Sequence, residues 1–209
     1  MDIFRRIADY RAESEKLSWS GTFRDYIEML RRDPAPAMTA HARVYEMIVA
    51  QGVENTGNAR QYKFFEREIY GLDRTMERLV EEYFHSAARR LDVRKRILLL
   101  MGPVSGGKST IVTLLKKGLE QFSRTDKGAV YAIKGCPMHE EPLHLIPSEL
   151  RTDVERELGV RIEGNLCPSC QMRLKTEFDG DIEQVPVERV LISEDNRVGI
   201  GTFSPSDPK

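Results

Sequence analysis

Three features in the middle of the chain predict an α/β fold in which helices flank a parallel sheet. Residues 97–101 form a continuous apolar run, residues 102–109 form a glycine-rich loop, and apolar side chains recur at helical spacing from Ser109 onward. A short apolar run without alternation is typical of a strand buried on both faces of a parallel sheet. The order of strand, loop and helix is a building unit of such sheets.

Length and charge narrow the class of protein. The 209 residues suffice for one well-buried domain with an appendage. The chain has 32 basic and 33 acidic side chains, which leaves a net charge of -1. No overall positive field therefore attracts nucleic acid. No apolar run approaches the ~20 residues that cross a bilayer, and no signal peptide opens the chain. We expect a cytoplasmic protein with neither nucleic acid nor membrane as partner.

The residues before the loop are predicted to be mainly helical. One apolar face is broken at residues 18–22 and comprises Phe4, Ile7, Tyr10, Tyr26, Ile27 and Leu30. Thr39 offers an N-cap to a further helix through Met47. Because glycine and asparagine cluster at residues 51–58, we place a domain boundary near residue 60. A helical segment, residues 1–60, would then precede a nucleotide-binding domain, residues 61–209.

Two helices and a second strand are predicted within residues 61–209. The first helix is expected to bury Met76, Leu79, Val80, Tyr83 and Phe84. The second begins at about Lys108 and is expected to bury Ile111, Val112, Leu114, Leu115 and Leu119. Residues 131–133 are short and apolar enough to form another strand.

The glycine-rich loop matches the pattern GxxxxGK(S/T) at every fixed position and is predicted to bind ATP with Mg²⁺. Glycines allow backbone N–H groups to turn around phosphate, and the following helix adds free N–H groups and the positive end of its dipole. Lys108 supplies charge to the β- and γ-phosphates, and the Ser109 hydroxyl is placed to ligate Mg²⁺. The predicted phosphate-binding residues are Gly102, Pro103, Val104, Ser105, Gly106, Gly107, Lys108, Ser109 and Thr110. A chance glycine-rich turn would rarely have the apolar run before it and the amphipathic helix after it.

The acid that hydrolysis requires is harder to find. Such an ATPase needs an acidic side chain at the end of a second buried strand, together with a group that orients water. Glu194 and Asp195 follow an apolar run, but Ser193 interrupts that run and Asn196 favours a turn. A hairpin is the better interpretation, so the catalytic residues stay unknown and are expected beyond residue 209.

Several short blocks along the chain carry a resemblance to a known family. They are residues 23–26, 64–65, 70–73, 102–109, 134–137, 141–143 and 198–203. Together these blocks resemble the N-terminal AAA+ module of PrkA-type serine protein kinases of bacteria. The resemblance implies an AAA+ P-loop fold and places Tyr70 and Gly71 against the adenine base. A simple hydrophobic lead into a helix is the alternative for Tyr70.

The resemblance implies the ATP-binding module of a stress- or sporulation-associated serine kinase. Members of that family are much longer, so neither the acid, the sensors nor an arginine finger can be assigned, and weak or absent turnover is expected of this chain. Two alternatives stay open: a motor that remodels or feeds a protein substrate, and a scaffold that nucleotide switches between conformations. A protein substrate and, in the intact protein, a homo-oligomer are the expected partners.

Two Cys-Pro pairs predict a structural Zn²⁺ site in an insertion at about residues 136–175. Cys136 and His139 are separated by two residues, as are Cys167 and Cys170. Four soft or imidazole ligands complete a tetrahedron with no open position. His144 is a possible substitute for His139. The alternative is that Cys167 and Cys170 are surface thiols and that His139 is solvated.

Overall fold

The computed structural model of the chain describes residues 3–56, 59–89, 97–103 and 106–203. The chain divides into two compact units, the first made of Met1–Ala37 with Ser123–Lys209 and the second of Met38–Phe122. The boundary predicted near residue 60 lies inside the second unit. The division into residues 1–60 and 61–209 therefore does not coincide with these units and remains a prediction.

The strands within the described residues form two antiparallel sheets. They are β1 (Ser20–Thr22), β2 (Val53–Thr56), β3 (Ala59–Tyr62), β4 (Val130–Ile133) and β5 (Pro186–Val190). In the first unit β5 lies between β1 and β4, with Gly21 and Ile133 both opposite Val187. In the second unit β2 and β3 pair as a hairpin, with Val53 opposite Tyr62.

Helices make up most of the remaining regular structure. They are α1 (Ile3–Lys16), α2 (Phe23–Arg32), α3 (Ala40–Val49), α4 (Lys63–Glu66), α5 (Asp73–Glu77), α6 (Ser86–Ala88), α7 (Lys108–Phe122), α8 (Arg151–Leu158) and α9 (Pro168–Glu177). A π-helical segment, Arg78–His85, joins α5 to α6 without a break. Three 3₁₀ turns lie at Ala35–Ala37, Pro142–Leu145 and Ile182–Gln184. Among the described residues, no helix combines the length and apolar character that crossing a bilayer requires.

Local sequence signals explain where several helices begin and end. Thr22 caps α2 through a reciprocal capping box with Asp25, which satisfies free N–H groups of the first turn. Gly159 ends α8 in the left-handed region, at a φ of 66°. The predicted helix after Thr39 is confirmed as α3, although the Thr39 side chain makes no capping hydrogen bond.

Each unit has its own core. In the first unit Tyr26 and Leu30 of α2 pack with Val187 of β5 and Leu143, and Cys136 and Cys170 belong to the same cluster. The core of the second unit combines side chains of α3, α4, the helix from α5 to α6, and α7, and its buried members include Ile48, Phe65, Val80 and Ile111. The predicted helical faces in α2, in the helix from α5 to α6 and in α7 are largely buried, but Val112 of α7 is exposed. The face predicted for α1 is wrong, because Phe4 and Ile7 are exposed and pack against neither core.

The strand predicted at residues 97–101 is not formed. Ile97, Leu99 and Met101 are exposed, whereas Leu98 and Leu100 pack against the core of the second unit. A strand forms only where a neighbouring strand exchanges backbone hydrogen bonds with it, and within the described residues nothing pairs with this run. The parallel sheet is therefore not confirmed: residues 131–133 do form a strand, β4, but its pairing is antiparallel. Helices with sheets remain consistent with the broader α/β class.

Candidate functional site

The phosphate loop leads directly into α7, as the motif requires. Gly106 and Gly107 form a bend, and α7 begins at Lys108, the predicted position. Gly107 has a φ of 76°, which only glycine adopts without strain, and a Cβ on Gly106 would lie 3.1 Å from the Pro103 carbonyl oxygen. Both glycines are thus needed for the path of the backbone. Val104 and Ser105 lie outside the described residues.

The ammonium group of Lys108 lies over its own loop. Nζ donates hydrogen bonds to the carbonyl oxygens of Gly102, at 2.9 Å, and of Pro103. These contacts hold the positive charge above the bend and beside the N-terminus of α7, where the free N–H groups of the helix also lie. Ser109 is exposed and Thr110 is half-buried in the first turn of α7. A cationic group and a helix N-terminus together favour an anion.

Tyr70 and Gly71 line a cavity of 290 Å³ in the second unit. The Tyr70 ring is 78% exposed, its hydroxyl donates to the Arg67 carbonyl at 3.0 Å, and Gly71 turns the chain at a φ of 70°. Ile69, Leu72, Phe65 and Met76 provide apolar wall, and Glu54, Arg60, Gln61, Tyr62, Lys63, Glu66 and Asp73 complete the lining. The described residues of the phosphate loop do not line this cavity.

Glu81 fixes the β3 wall of the cavity from behind. One carboxylate oxygen accepts hydrogen bonds from Tyr62, at 2.7 Å, and Arg60, at 2.8 Å, while the other lies 2.6 Å from His85 Nδ1. The His85 ring stacks on Tyr45 with centroids 4.5 Å apart. No sequence pattern predicts this network, because its members come from three separate elements and share no motif.

Three cysteine sulfurs meet in the first unit. The Sγ atoms of Cys136, Cys167 and Cys170 all lie within 4.8 Å of one another, and those of Cys136 and Cys167 are 3.7 Å apart. Sulfur ligands about 2.3 Å from a tetrahedral Zn²⁺ would be about 3.8 Å apart. The spacing of this cluster therefore fits a metal. The alternative that Cys167 and Cys170 are surface thiols does not fit Cys170, which is buried, whereas Cys167 is half-buried.

The two histidines considered as ligands differ in what surrounds them. His139 is exposed, and its nitrogens are not part of the group of mutually close ligand atoms. His144 is only 13% exposed, and its ring nitrogens face Glu140 Oε1 and, at 2.5 Å, the Glu163 carbonyl oxygen. Both nitrogens of His144 thus contact oxygen atoms of the protein, and neither belongs to the group of mutually close ligand atoms.

The chemical state of the thiols follows from their surroundings. Burial works to raise the pKa of Cys136, but backbone N–H groups of Glu140 and Met138 outweigh it and hold that pKa below its ordinary value. Burial raises the pKa of Cys170 and of Cys167. A bound cation would displace these protons, since thiolate is the ligand form.

The predicted hairpin at the acidic pair is confirmed. Ser193 and Val198 form an antiparallel bridge with reciprocal hydrogen bonds, and the Arg197 N–H donates to the Glu194 carbonyl at 3.0 Å. Glu194 also accepts a hydrogen bond from the Thr202 hydroxyl. In this turn Glu194 does not sit at the end of a buried strand, the place expected of a magnesium-holding acid.

Comparison with known proteins places the chain in a family. Residues 21–209 match the family described as the PrkA AAA domain. The chain belongs to this family. It is 63% identical over all 209 residues to the "ATP-dependent protease PrkA" of Bacillus subtilis, and it spans 33% of that protein. Over 154 residues it is 30% identical to the "Serine/threonine kinase YeaG" of Escherichia coli K12, covering 70% of the chain and 23% of that relative.

The PrkA AAA assignment confirms the resemblance drawn from the sequence blocks. A 97-residue stretch, 46% of the chain, is 55% identical to the full length of an uncharacterized protein of Geobacillus stearothermophilus. No solved structure matches the chain. This PrkA AAA chain spans about a third of its Bacillus relative. The activity of the longer relative is therefore not assigned to this chain.

Glu140 is a further residue of this PrkA AAA chain that the sequence analysis missed. Its Oε2 accepts the Cys167 N–H at 3.0 Å, and its Oε1 contacts His144. The carboxylate thus connects the loop after β4, which carries Cys136, to the start of α9, which carries Cys167 and Cys170. In the sequence, only the four-residue spacing of Glu140 and His144 indicated that these two side chains could make contact.

Proposed function

We propose that the chain is the ATP-binding module of a PrkA-type, protein-acting enzyme. The observation that carries the proposal is the complete phosphate loop at the start of α7, in a chain of the PrkA AAA family. AAA domains as a class bind nucleotide, and this chain retains every fixed residue of the loop motif.

Lys108 is proposed to exchange partners when ATP binds. Its Nζ contacts the carbonyl oxygens of Gly102 and Pro103, which are neutral acceptors. The β- and γ-phosphates are charged acceptors, so the ammonium gains a Coulomb attraction there that neutral carbonyl oxygens do not provide. The residues we propose around the phosphates are Gly102, Pro103, Val104, Ser105, Gly106, Gly107, Lys108, Ser109 and Thr110.

Magnesium is proposed to bind through the Ser109 hydroxyl. Ser109 is exposed at the first turn of α7, directly after the lysine. In this class of loop that hydroxyl ligates Mg²⁺ together with phosphate oxygens. The parallel sheet that usually supports such a loop is likewise proposed for a longer protein of the family.

The adenine base is proposed to lie in the cavity beside Tyr70 and Gly71. Exposed aromatic surface and an apolar wall from Ile69 and Leu72 suit a flat heterocycle, and the cavity has room for one base. Gln61 offers an amide for its polar edge.

Two alternative activities are proposed for a longer protein of the family. The name of the Escherichia coli relative favours transfer of phosphate to a protein, whereas the name of the Bacillus relative favours an ATP-driven motor that feeds a protein substrate to proteolysis. The higher identity to the Bacillus relative, over all 209 residues of this chain, supports the second. A nucleotide-switched scaffold is the non-enzymatic alternative.

Titration calorimetry of the 209-residue chain with Mg²⁺-ATP tests the binding proposal directly. Saturable binding at one site is expected, and absence of heat at millimolar ATP would overturn it. For a longer family protein, γ-labelled ATP and a protein substrate separate the activities. Label on protein indicates a kinase, whereas free phosphate with loss of substrate indicates a motor with a protease.

We also propose Zn²⁺ as a cofactor, held by Cys136, Cys167 and Cys170. Thiolates are soft ligands that select Zn²⁺ over Mg²⁺ or Ca²⁺, and the buried cluster suits a structural role. Its free thiols suit a reducing compartment, so a cytoplasmic location is part of the proposal. Elemental analysis of protein purified without chelator should find about one zinc per chain.

A further inference from the structure

The two segments that carry the cysteines have the same local design. In the first, the N–H groups of Met138 and Glu140 donate to the Cys136 sulfur. In the second, the Cys170 N–H donates to the Cys167 sulfur at 3.4 Å. Each turn therefore directs backbone N–H groups at the sulfur of its first cysteine and fixes the position of that sulfur. We call these two turns the first knuckle, residues 136–140, and the second knuckle, residues 167–170.

His139 holds the position in the first knuckle that Cys170 holds in the second. Each lies three residues after the leading cysteine, and the His139 N–H donates to the Cys136 carbonyl at 3.1 Å, which closes the turn. His139 has a φ of 48°, a left-handed conformation that few residues other than glycine adopt. Strain of this kind persists where surrounding structure imposes it and is concentrated at functional sites.

The three cysteines and His139 differ in their exposure and in their contacts. Cys136 and Cys170 are buried at 5% and 3% exposure, and Cys167 is half-buried, so protein encloses the sulfurs on the inner side. Among the described residues, the ring of His139 makes no hydrogen bond, ion pair or ring contact, whereas the chain's other histidines, His41, His85 and His144, all have ring partners. The His139 ring is thus free to rotate.

We infer that His139 is the fourth ligand of the zinc site, closing a Cys₃His tetrahedron by rotation of its side chain. The inference rests on the proposed binding of Zn²⁺ to the three cysteines. One imidazole nitrogen replaces the water that a three-thiolate site would retain, so the closed site is structural rather than catalytic. His144, which shares the insertion, is excluded because both of its nitrogens face oxygen acceptors.

The knuckles are held in place by protein contacts as well as by metal. Glu140, in the first knuckle, accepts the N–H of Cys167, which begins the second. Arg173 of α9 donates to the Lys134 carbonyl at 2.9 Å, just before Cys136. These contacts hold the two turns together without metal, so we assign closure of the site to the His139 side chain.

Cobalt substitution tests the inference, because tetrahedral Co²⁺ absorbs strongly in the visible range and its spectrum depends on the number and type of ligands. The 209-residue chain loaded with Co²⁺ should give the spectrum of a tetrahedral S₃N site. His139→Ala should change that spectrum and weaken zinc affinity more than about 100-fold, since even outer-shell partners contribute about 10- to 100-fold. His139→Cys should restore tight binding with the spectrum of an S₄ site.

His41→Ala is the matched control, because His41 lies in the other unit against Tyr83 and should leave metal binding unchanged. A spectrum and affinity unaffected by His139→Ala, in protein that binds one zinc, would overturn the inference and leave the three-cysteine site intact. Purified protein without zinc, together with Cys167→Ser of unchanged thermal stability, would instead overturn the zinc proposal itself.

Discussion

Single side chains decide the charge at the proposed phosphate site. Lys108 is the cation that contacts the loop carbonyls, and Gly107 provides the left-handed turn that precedes it. The motif predicted both residues, since the chemistry of a triphosphate demands a fixed cation and an unobstructed backbone. The hydrogen-bond network around Glu81 also depends on single side chains, and no sequence motif predicts it.

Lys108→Ala should weaken ATP binding strongly, because it removes the formal charge directed at the phosphates. A loss of one charge-assisted hydrogen bond corresponds to about 1.5–3 kcal/mol, or roughly 10- to 150-fold in affinity. Calorimetry with Mg²⁺-ATP measures the change. Lys117→Ala, exposed on the same helix, is the control and should bind as the wild type does. Equal affinity for wild type and Lys108→Ala would make the loop purely structural.

Glu81→Gln should destabilise the second unit at neutral pH. Burial works to raise the pKa of Glu81, but hydrogen bonds from Tyr62, His85 and Arg60 outweigh it and hold the pKa below its ordinary value. A group with a lowered folded-state pKa stabilises the protein above its unfolded pKa of about 4.3, and the contribution is lost as pH falls through the folded value.

Urea unfolding at pH 7 should therefore show a loss of about 1.5–3 kcal/mol in Glu81→Gln. The difference from wild type should shrink when the measurement is repeated in acid, where the wild-type carboxylate is protonated as well. Glu82→Gln is the control, because that side chain is 66% exposed and pairs with Arg78 at 3.4 Å. A difference that stays constant across pH would show that the charge of Glu81 does not matter.

At the scale of elements, tertiary packing can override the helix propensity of individual residues. The helix after the phosphate loop was predicted from its apolar periodicity and is confirmed as α7. Gly118 lies in the middle of α7, where glycine is intrinsically unfavourable, yet it is buried against α3 and α4. A Cβ at this position would lie 2.6 Å from the Phe64 ring and 2.8 Å from the Met47 sulfur.

Gly118→Ala should lower stability although it raises helix propensity. Alanine in place of helical glycine normally gains about 0.5–1 kcal/mol, but overpacking a core costs about 1–3 kcal/mol. Thermal unfolding followed by circular dichroism measures the net effect, with Thr113→Ala on the exposed side of α7 as the control. A higher melting temperature in Gly118→Ala would mean that Phe64 and Met47 move aside without loss.

At the scale of the whole molecule, the residues that would catalyse ATP hydrolysis are not assigned within the described part of the chain. Glu194 and Asp195 lie in a hairpin turn, so neither is placed as the acid of a buried strand. The chain is also a third of the length of its Bacillus relative. Completion of the ATP site by residues outside this chain, or by a neighbouring subunit, is the expectation for a AAA module.

The chain alone should hydrolyse ATP far more slowly than a longer PrkA-type protein that contains it. The acid and any arginine finger are worth large factors in turnover, about 10³- to 10⁵-fold for the finger. Release of phosphate from equal molar amounts of the two proteins compares them. Equal rates would indicate that Glu194 or Asp195 supplies the acid after all, and either Glu194→Gln or Asp195→Asn would then abolish turnover.

A longer protein of the family should form an ATP-dependent oligomer if a neighbouring subunit completes its site. Analytical ultracentrifugation with and without Mg²⁺-ATP measures the change in mass, with a Lys108→Ala version as the control that cannot respond to nucleotide. A monomer under both conditions would count against the ring and favour the scaffold.

The sequence by itself determined the features that depend on neighbours along the chain. The phosphate loop, the start of α7 at Lys108, the helices α2 and α3 and the hairpin after Ser193 all follow from local spacing, caps and turn residues. The family could also be identified from short blocks, since they are continuous in sequence. Spacing likewise placed Cys136, Cys167 and Cys170 in one cluster.

The tertiary structure alone decided which strands pair and what the functional side chains face. The run at residues 97–101 has the composition of a buried strand, but a strand exists only where neighbours accept and donate its hydrogen bonds, and composition carries no information about those neighbours. The same reason hid Glu81 and Glu140, whose partners are distant in sequence. The contact between His144 and the Glu163 carbonyl also lay beyond the sequence, because the two residues are distant along the chain.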